Sequence, residues 1–212
     1  MSALKNIDIG IGPVGVAYGG IMNEVSEMIK GSKSFSAVYI EGRYGTGKTL
    51  VLRRAIYDIV SGENKKVYER VIPIYFFLGT RDFDPLVHLR IFIDDVKTYL
   101  DTGLVKPNVV GEKEDWEIRY KLLEDTWQRV QPKLDAEGSR QIESFFSFMR
   151  ELNKSGYLPM LIFDEFERLI YTGDVLREER SRPLFVEFVK RYFELTRDIF
   201  IAGSSLLLLQ RE

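Results

Sequence analysis

Apolar positions along the chain follow two rhythms. The runs AVYIE at 37–41, VIPIYFFL at 71–78, PMLIF at 159–163 and IFIAG at 199–203 are continuous, without polar alternation. Runs of that kind read as strands buried on both faces. Between them the spacing changes to threes and fours. Ile21, Met22, Val25, Met28 and Ile29 share one face of a helix over 20–30, and LVLRRAIYDIV after Lys48 is helical too. Asp84 followed by Pro85 reads as a helix start, and Leu86, Leu89, Ile93, Val96 and Leu100 carry that helix to 100. Trp116, Tyr120, Leu123, Trp127 and Val130 define an amphipathic helix over 114–130, with the tryptophans as packing residues. Ile142, Phe145, Phe146, Met149 and Leu152 define another over 139–153, and RPLFVEFVKRYFEL a further one. Buried strands separated by helices predict an α/β fold whose parallel sheet carries helices on both faces.

Composition narrows the class without changing that picture. The 212 residues suit one α/β domain, and no linker or repeat divides them. No apolar run reaches the roughly 20 residues of a membrane-spanning helix, and no signal-peptide layout opens the chain. A cytoplasmic protein with no membrane partner is the expectation. The chain has no cysteine, which excludes disulfides, thiolate metal sites and cysteine nucleophiles, and its one histidine, His88, suits neither a zinc site nor a serine–histidine triad. Thirty Lys and Arg against 32 Asp and Glu give a net charge of −2, not the basic excess of a dedicated nucleic-acid-binding domain. Scarce Asn and Gln, with no Cys, lean towards a heat-adapted source.

Two glycine-rich segments compete for a phosphate. GIGPVG at 10–15 matches G-x-G-x-x-G, but only nine residues precede it, Pro13 removes a backbone donor, and VAYGG delays the helix. It lacks the strand–turn–helix context of a dinucleotide fingerprint. GRYGTGKT at 42–49 has that context, following the strand AVYIE and opening the next helix. Its glycines let successive N–H groups turn inward at a helix N-terminus. Gly42, Gly45, Thr46, Gly47, Lys48, Thr49 and Leu50 are the candidate ATP-binding residues. Lys48 would reach the β- and γ-phosphates and Thr49 would place its hydroxyl on Mg²⁺. Arg43 and Tyr44 fill the free positions of the motif.

A carboxylate at the end of another buried strand completes such a site. LIFDEFERL supplies Asp164 and Glu165 at the carboxyl end of the third apolar run. Asp164 would hold the Mg²⁺ shell and Glu165 would polarise the attacking water.

With Glu165 beside Asp164, and no acidic residue ending the strand at 71–79, the chain resembles the branch of P-loop ATPases that holds the AAA+ and STAND proteins. Within it, the helical material between the second strand and the acidic strand resembles the Orc/Cdc6 and DnaA-like initiators, while DEF-x-x-L resembles archaeal STAND ATPases. The resemblance implies a three-layer P-loop core with a helical insertion at 81–154. It implies a polar sensor on the strand IFIAGSS, lying between the acidic strand and the loop, which makes Ser204 or Ser205 catalytic. It also implies that Val14, Val16 and Tyr18 pack over the adenine. The initiator likeness implies action on DNA in replication, recombination or mobile-element maintenance, as a homo-oligomer or beside a partner ATPase subunit. The STAND likeness implies a nucleotide switch gating a protein partner. Seven residues follow the sensor position, LLLLQRE, so the helical lid of an AAA+ core has no room. The expectation is a single ATPase domain over 1–212, incomplete at its C-terminal end, whose turnover depends on parts supplied elsewhere. Arg177, Arg180 and Arg182 in REERSR are read as a solvated charged loop, with a DNA or phosphate contact as the alternative.

Overall fold

The computed structural model describes residues 13–32, 36–42, 45–78, 83–130, 139–165, 184–192 and 199–205, the last stretch by its backbone. In chain order the elements are α1 (Pro13–Ile29), β1 (Ser36–Gly42), α2 (Lys48–Ser61), β2 (Val71–Phe77), α3 (Pro85–Thr102), α4 (Lys113–Val130), α5 (Ser139–Lys154), β3 (Leu158–Asp164), α6 (184–192) and β4 (Ile199–Ser205). Each of the four apolar runs is a strand. The strands form one parallel sheet in the order β1-β4-β3-β2.

One difference from the expected elements is the start of α1. The glycine-rich segment expected to delay the helix until residue 20 is itself helical from Pro13. Proline at the first helical turn lacks only an N–H that would have no partner there, and its ring presets φ. Ala17, Tyr18, Ile21, Met22, Val25 and Met28 then keep one face against the core. Burial of that stripe offsets the helix-weakening glycines at 19 and 20. Ser36, opening β1, donates to the Glu24 carboxylate and ties strand to helix.

The helices after β2 follow the expected spacing. Asp84 caps α3 by accepting from the N–H groups of Leu86 at 2.9 Å and Val87 at 3.0 Å, and Gly103 closes the helix in the left-handed conformation. Trp116, Leu123, Trp127 and Val130 are buried along α4 as predicted. His88 is a core residue: Nδ1 lies 2.8 Å from the Asp84 carbonyl, and its ring is 5.5 Å from Phe76 and 6.0 Å from Phe83.

Register sorts the side chains of the sheet. Phe76 and Phe163 are partners on β2 and β3, and their rings meet each other, His88 of α3, Phe145 of α5 and Phe188 of α6. Ile40 is buried on β1, while Tyr39, level with Ala202 and Phe163, is 58% exposed. α1 and α2 pack on each other and on β1 and β4, and α2 reaches β3. Arg119 of α4 is buried where the strands begin. It donates to the carbonyls of Val71 at 3.2 Å, Asp115 at 2.9 Å, and Ile59 and Tyr68 at 3.3 Å each. Burial lowers its pKa, yet four acceptors around one guanidinium keep the charge solvated by protein.

Candidate nucleotide site

β1 ends at Gly42 and α2 begins at Lys48, so the G-x-x-x-x-G-K-T segment occupies a strand-to-helix turn at the carboxyl edge of the sheet. Gly45 and Gly47 have φ of 80° and 86°, values that an L side chain strains to adopt. Gly42 meets a different demand. A Cβ there would sit 2.7 Å from Thr46 Oγ1, so any side chain at 42 requires the Thr46 hydroxyl to turn away. Lys48 folds back over this turn, its Nζ donating to the Gly42 carbonyl at 2.7 Å. Gly47 caps α2 without a side-chain hydrogen bond, and its carbonyl accepts from Val51 N–H at 3.0 Å. Thr46, Thr49 and Leu50 are exposed around the turn. Among the described residues, two left-handed glycines and the Lys48 ammonium stand together at a helix N-terminus, a geometry suited to an anion.

β4 lies between β1 and β3. Glu41 and Gly42 are level with Ser204 and Ser205, which brings the ends of β1 and β4 together. Asp164 closes β3 two strands from the loop, a lateral step of roughly 10 Å at usual strand spacing. The side chains of Val14, Ser204 and Ser205 lie outside the described residues, as do the arginines 177, 180 and 182.

Asp164 is 2% exposed. Its two oxygens have different donors: Tyr75 Oη at 2.5 Å from Oδ2, and the Glu165 backbone N–H at 3.0 Å from Oδ1. Its carbonyl accepts from Leu78 N–H at 3.1 Å, extending the β2–β3 ladder past the last strand residue. Burial, followed by the charge and hydrogen bond of Asp164, holds the Tyr75 phenol well above its ordinary pKa, with Arg53 on α2 opposing. Tyr75 therefore keeps its proton and is the hydrogen-bond donor of the pair. Glu165 has φ 58°, alone among the described non-glycine residues in being positive. A left-handed backbone at a branched-free acidic residue costs on the order of 1 kcal/mol. That strain sits where β3 hands the chain to the carboxyl edge.

Of the residues expected over the adenine, the side chains of Val16 and Tyr18 are described. Val16 is 77% exposed. Tyr18 donates to Asp58 Oδ2 at 2.6 Å, roughly 15 Å further along α2 than Lys48. The early start of α1 lays Tyr18 against the carboxyl half of α2. Tyr75 and Arg53 were not singled out from the sequence. The available signal was a hydroxyl inside an otherwise apolar run.

Two concavities lie elsewhere among the described residues. One of about 570 Å³ opens where the strands begin, beside Arg70 and Tyr157, and its Lys65 is paired with Asp115 at 2.6 Å. Another of about 680 Å³ lies between α1 and α2, where Arg54 is paired with Asp58 at 2.7 Å. Neither is lined by the 42–49 turn or by Asp164, and in each a cation is already matched by a carboxylate. Among the described residues no three His, Asp or Glu side chains come together as a metal cluster, and no helix is long and apolar enough to cross a membrane. No protein-family model and no curated protein matches the chain.

Proposed function

We propose that this chain is a P-loop NTPase of AAA+-like architecture that binds ATP with Mg²⁺ and hydrolyses it. The observation that carries the reading is the pairing of two strand ends: the Gly42–Thr49 turn on β1 and the Asp164–Glu165 pair on β3, with β4 between them. A three-layer core agrees with the aromatic cluster of α3, α5 and α6 on the Phe76 and Phe163 side, and with α1 and α2 over β1 and β4.

In this reading the N–H groups of the turn and the N-terminus of α2 bind the phosphates of ATP. Lys48 exchanges its Gly42 carbonyl for phosphate oxygens. Magnesium prefers oxygen donors and takes one or two from protein, the rest from water and phosphate. The Thr49 hydroxyl and the Asp164 carboxylate are donors of that kind, and Asp164 keeps lone pairs beyond the two its described donors use. Bound there, the ion would neutralise charge on the β- and γ-phosphates. Glu165 orients the attacking water and accepts its proton. Ser204 or Ser205 contributes a polar contact from the end of β4.

Action on DNA, in replication, recombination or mobile-element maintenance, follows from the initiator resemblance and is part of the proposal. So is assembly as a homo-oligomer or with a partner ATPase subunit. The test is ATP turnover with and without duplex DNA, against Lys48→Ala as the blank. DNA-stimulated turnover supports the full reading. Tight ATP binding without turnover under either condition makes the chain a nucleotide-gated switch instead, and no ATP binding overturns the site.

A further inference from the structure

We propose that Tyr75 is a positioning residue for Asp164, setting the orientation in which that carboxylate meets the magnesium shell. The inference rests on the nucleotide-site reading above and adds to it a residue that no motif contains.

A carboxylate on a strand end can rotate about χ2 and offer either oxygen. In this protein both choices are made in advance. Tyr75 donates to Oδ2 at 2.5 Å and Glu165 N–H to Oδ1 at 3.0 Å, with the carboxylate nearly out of solvent. Tyr75 can do this because β2 is parallel to β3 and pairs it with Ile162, one same-face position before Asp164. The phenol is long enough to cover that step of roughly 7 Å along the strand. The ring is itself 3% exposed, so it has no freedom to withdraw. Held from two directions, Asp164 presents its unused lone pairs in one orientation. Hydrogen bonds of this kind to a metal's ligands typically change metal affinity 10- to 100-fold when removed.

The bland role for the same bond is to satisfy a buried carboxylate, so the test must separate metal affinity from folding. Half-saturating Mg²⁺ for ATP binding is measured by calorimetry in the wild-type chain and in Tyr75→Phe, with ATP affinity in EDTA and thermal melting as companions. The expected result is a ~10- to 100-fold higher Mg²⁺ requirement in Tyr75→Phe, with ATP affinity in EDTA unchanged. In an Asp164→Asn background the same substitution should have no effect on the Mg²⁺ requirement. Equal Mg²⁺ requirements in wild type and Tyr75→Phe overturn the positioning role while leaving the nucleotide site standing. A wild-type chain that binds no ATP in either condition overturns the site and this role together. If Tyr75→Phe does not fold, fluorotyrosine placed at 75 changes the hydroxyl's donor strength without removing it. The Mg²⁺ requirement should then shift with the number of fluorines, and a constant value overturns the proposal.

Discussion

Lys48 Nζ donates to the carbonyl of Gly42 at 2.7 Å, a bond within the turn that the lysine is expected to leave for phosphate. The turn is therefore held closed by the group that would bind its ligand. Lys48→Ala should lower ATP affinity ~10- to 100-fold, the size of a lost hydrogen bond to a charged group. Calorimetric titration of ATP into the two proteins measures it. Unchanged affinity would remove the turn from the site.

Glu165 is held at φ 58° beside a buried aspartate. Glu165→Gln keeps the backbone and should keep ATP binding while lowering turnover by about 10²–10⁴-fold, the usual contribution of a general base. Glu165→Gly should lose turnover as well, yet melt higher, because glycine relieves on the order of 1 kcal/mol at a left-handed position. A melting temperature that falls in Glu165→Gly would show that the side chain, rather than the backbone, stabilises this corner.

Gly19 and Gly20 lie inside α1, exposed, and a Cβ at either would have no atom within 4 Å. Gly19→Ala and Gly20→Ala should each stabilise the chain by roughly 0.5–1 kcal/mol, since alanine loses less backbone freedom in a helix. Urea unfolding reads the change. Destabilisation by both would mean that this segment is not helical.

Tyr18 bridges α1 to α2 through its 2.6 Å bond to Asp58. Burial first, then the hydrogen bond and charge of Asp58, raises the phenol's pKa. The folded state thus holds a proton that the unfolded chain releases near pH 10. The stabilisation is complete below that pH and is lost as pH rises beyond it. Melting temperatures measured from pH 8 to 11 should fall above pH 10, and fall less steeply in Tyr18→Phe. Parallel curves for the two proteins would assign the alkaline loss to other tyrosines.

The strands were legible because parallel sheets bury both faces, leaving apolar runs such as VIPIYFFL and PMLIF without alternation. The Asp84 cap was legible because its chemistry is local, reaching only two and three residues along. The start of α1 was not. Its glycines lower local propensity, and the burial that overrides them comes from α2 and β1, distant in sequence. Tyr75 was invisible for a related reason. Its position in an apolar run marks it as buried, but its partner stands 89 residues away, and only the β2–β3 register brings the two together.

Arg119 joins the last turn of α2, the turn ahead of β2, the first residue of β2 and the first turn of α4 through one guanidinium. Those segments cannot separate one at a time without stranding carbonyls or a buried cation. Their amides should exchange with deuterium as a single cooperative unit, at one shared opening free energy. α2 and α4 would then unfold together, although more than fifty residues of chain lie between Ile59 and Arg119.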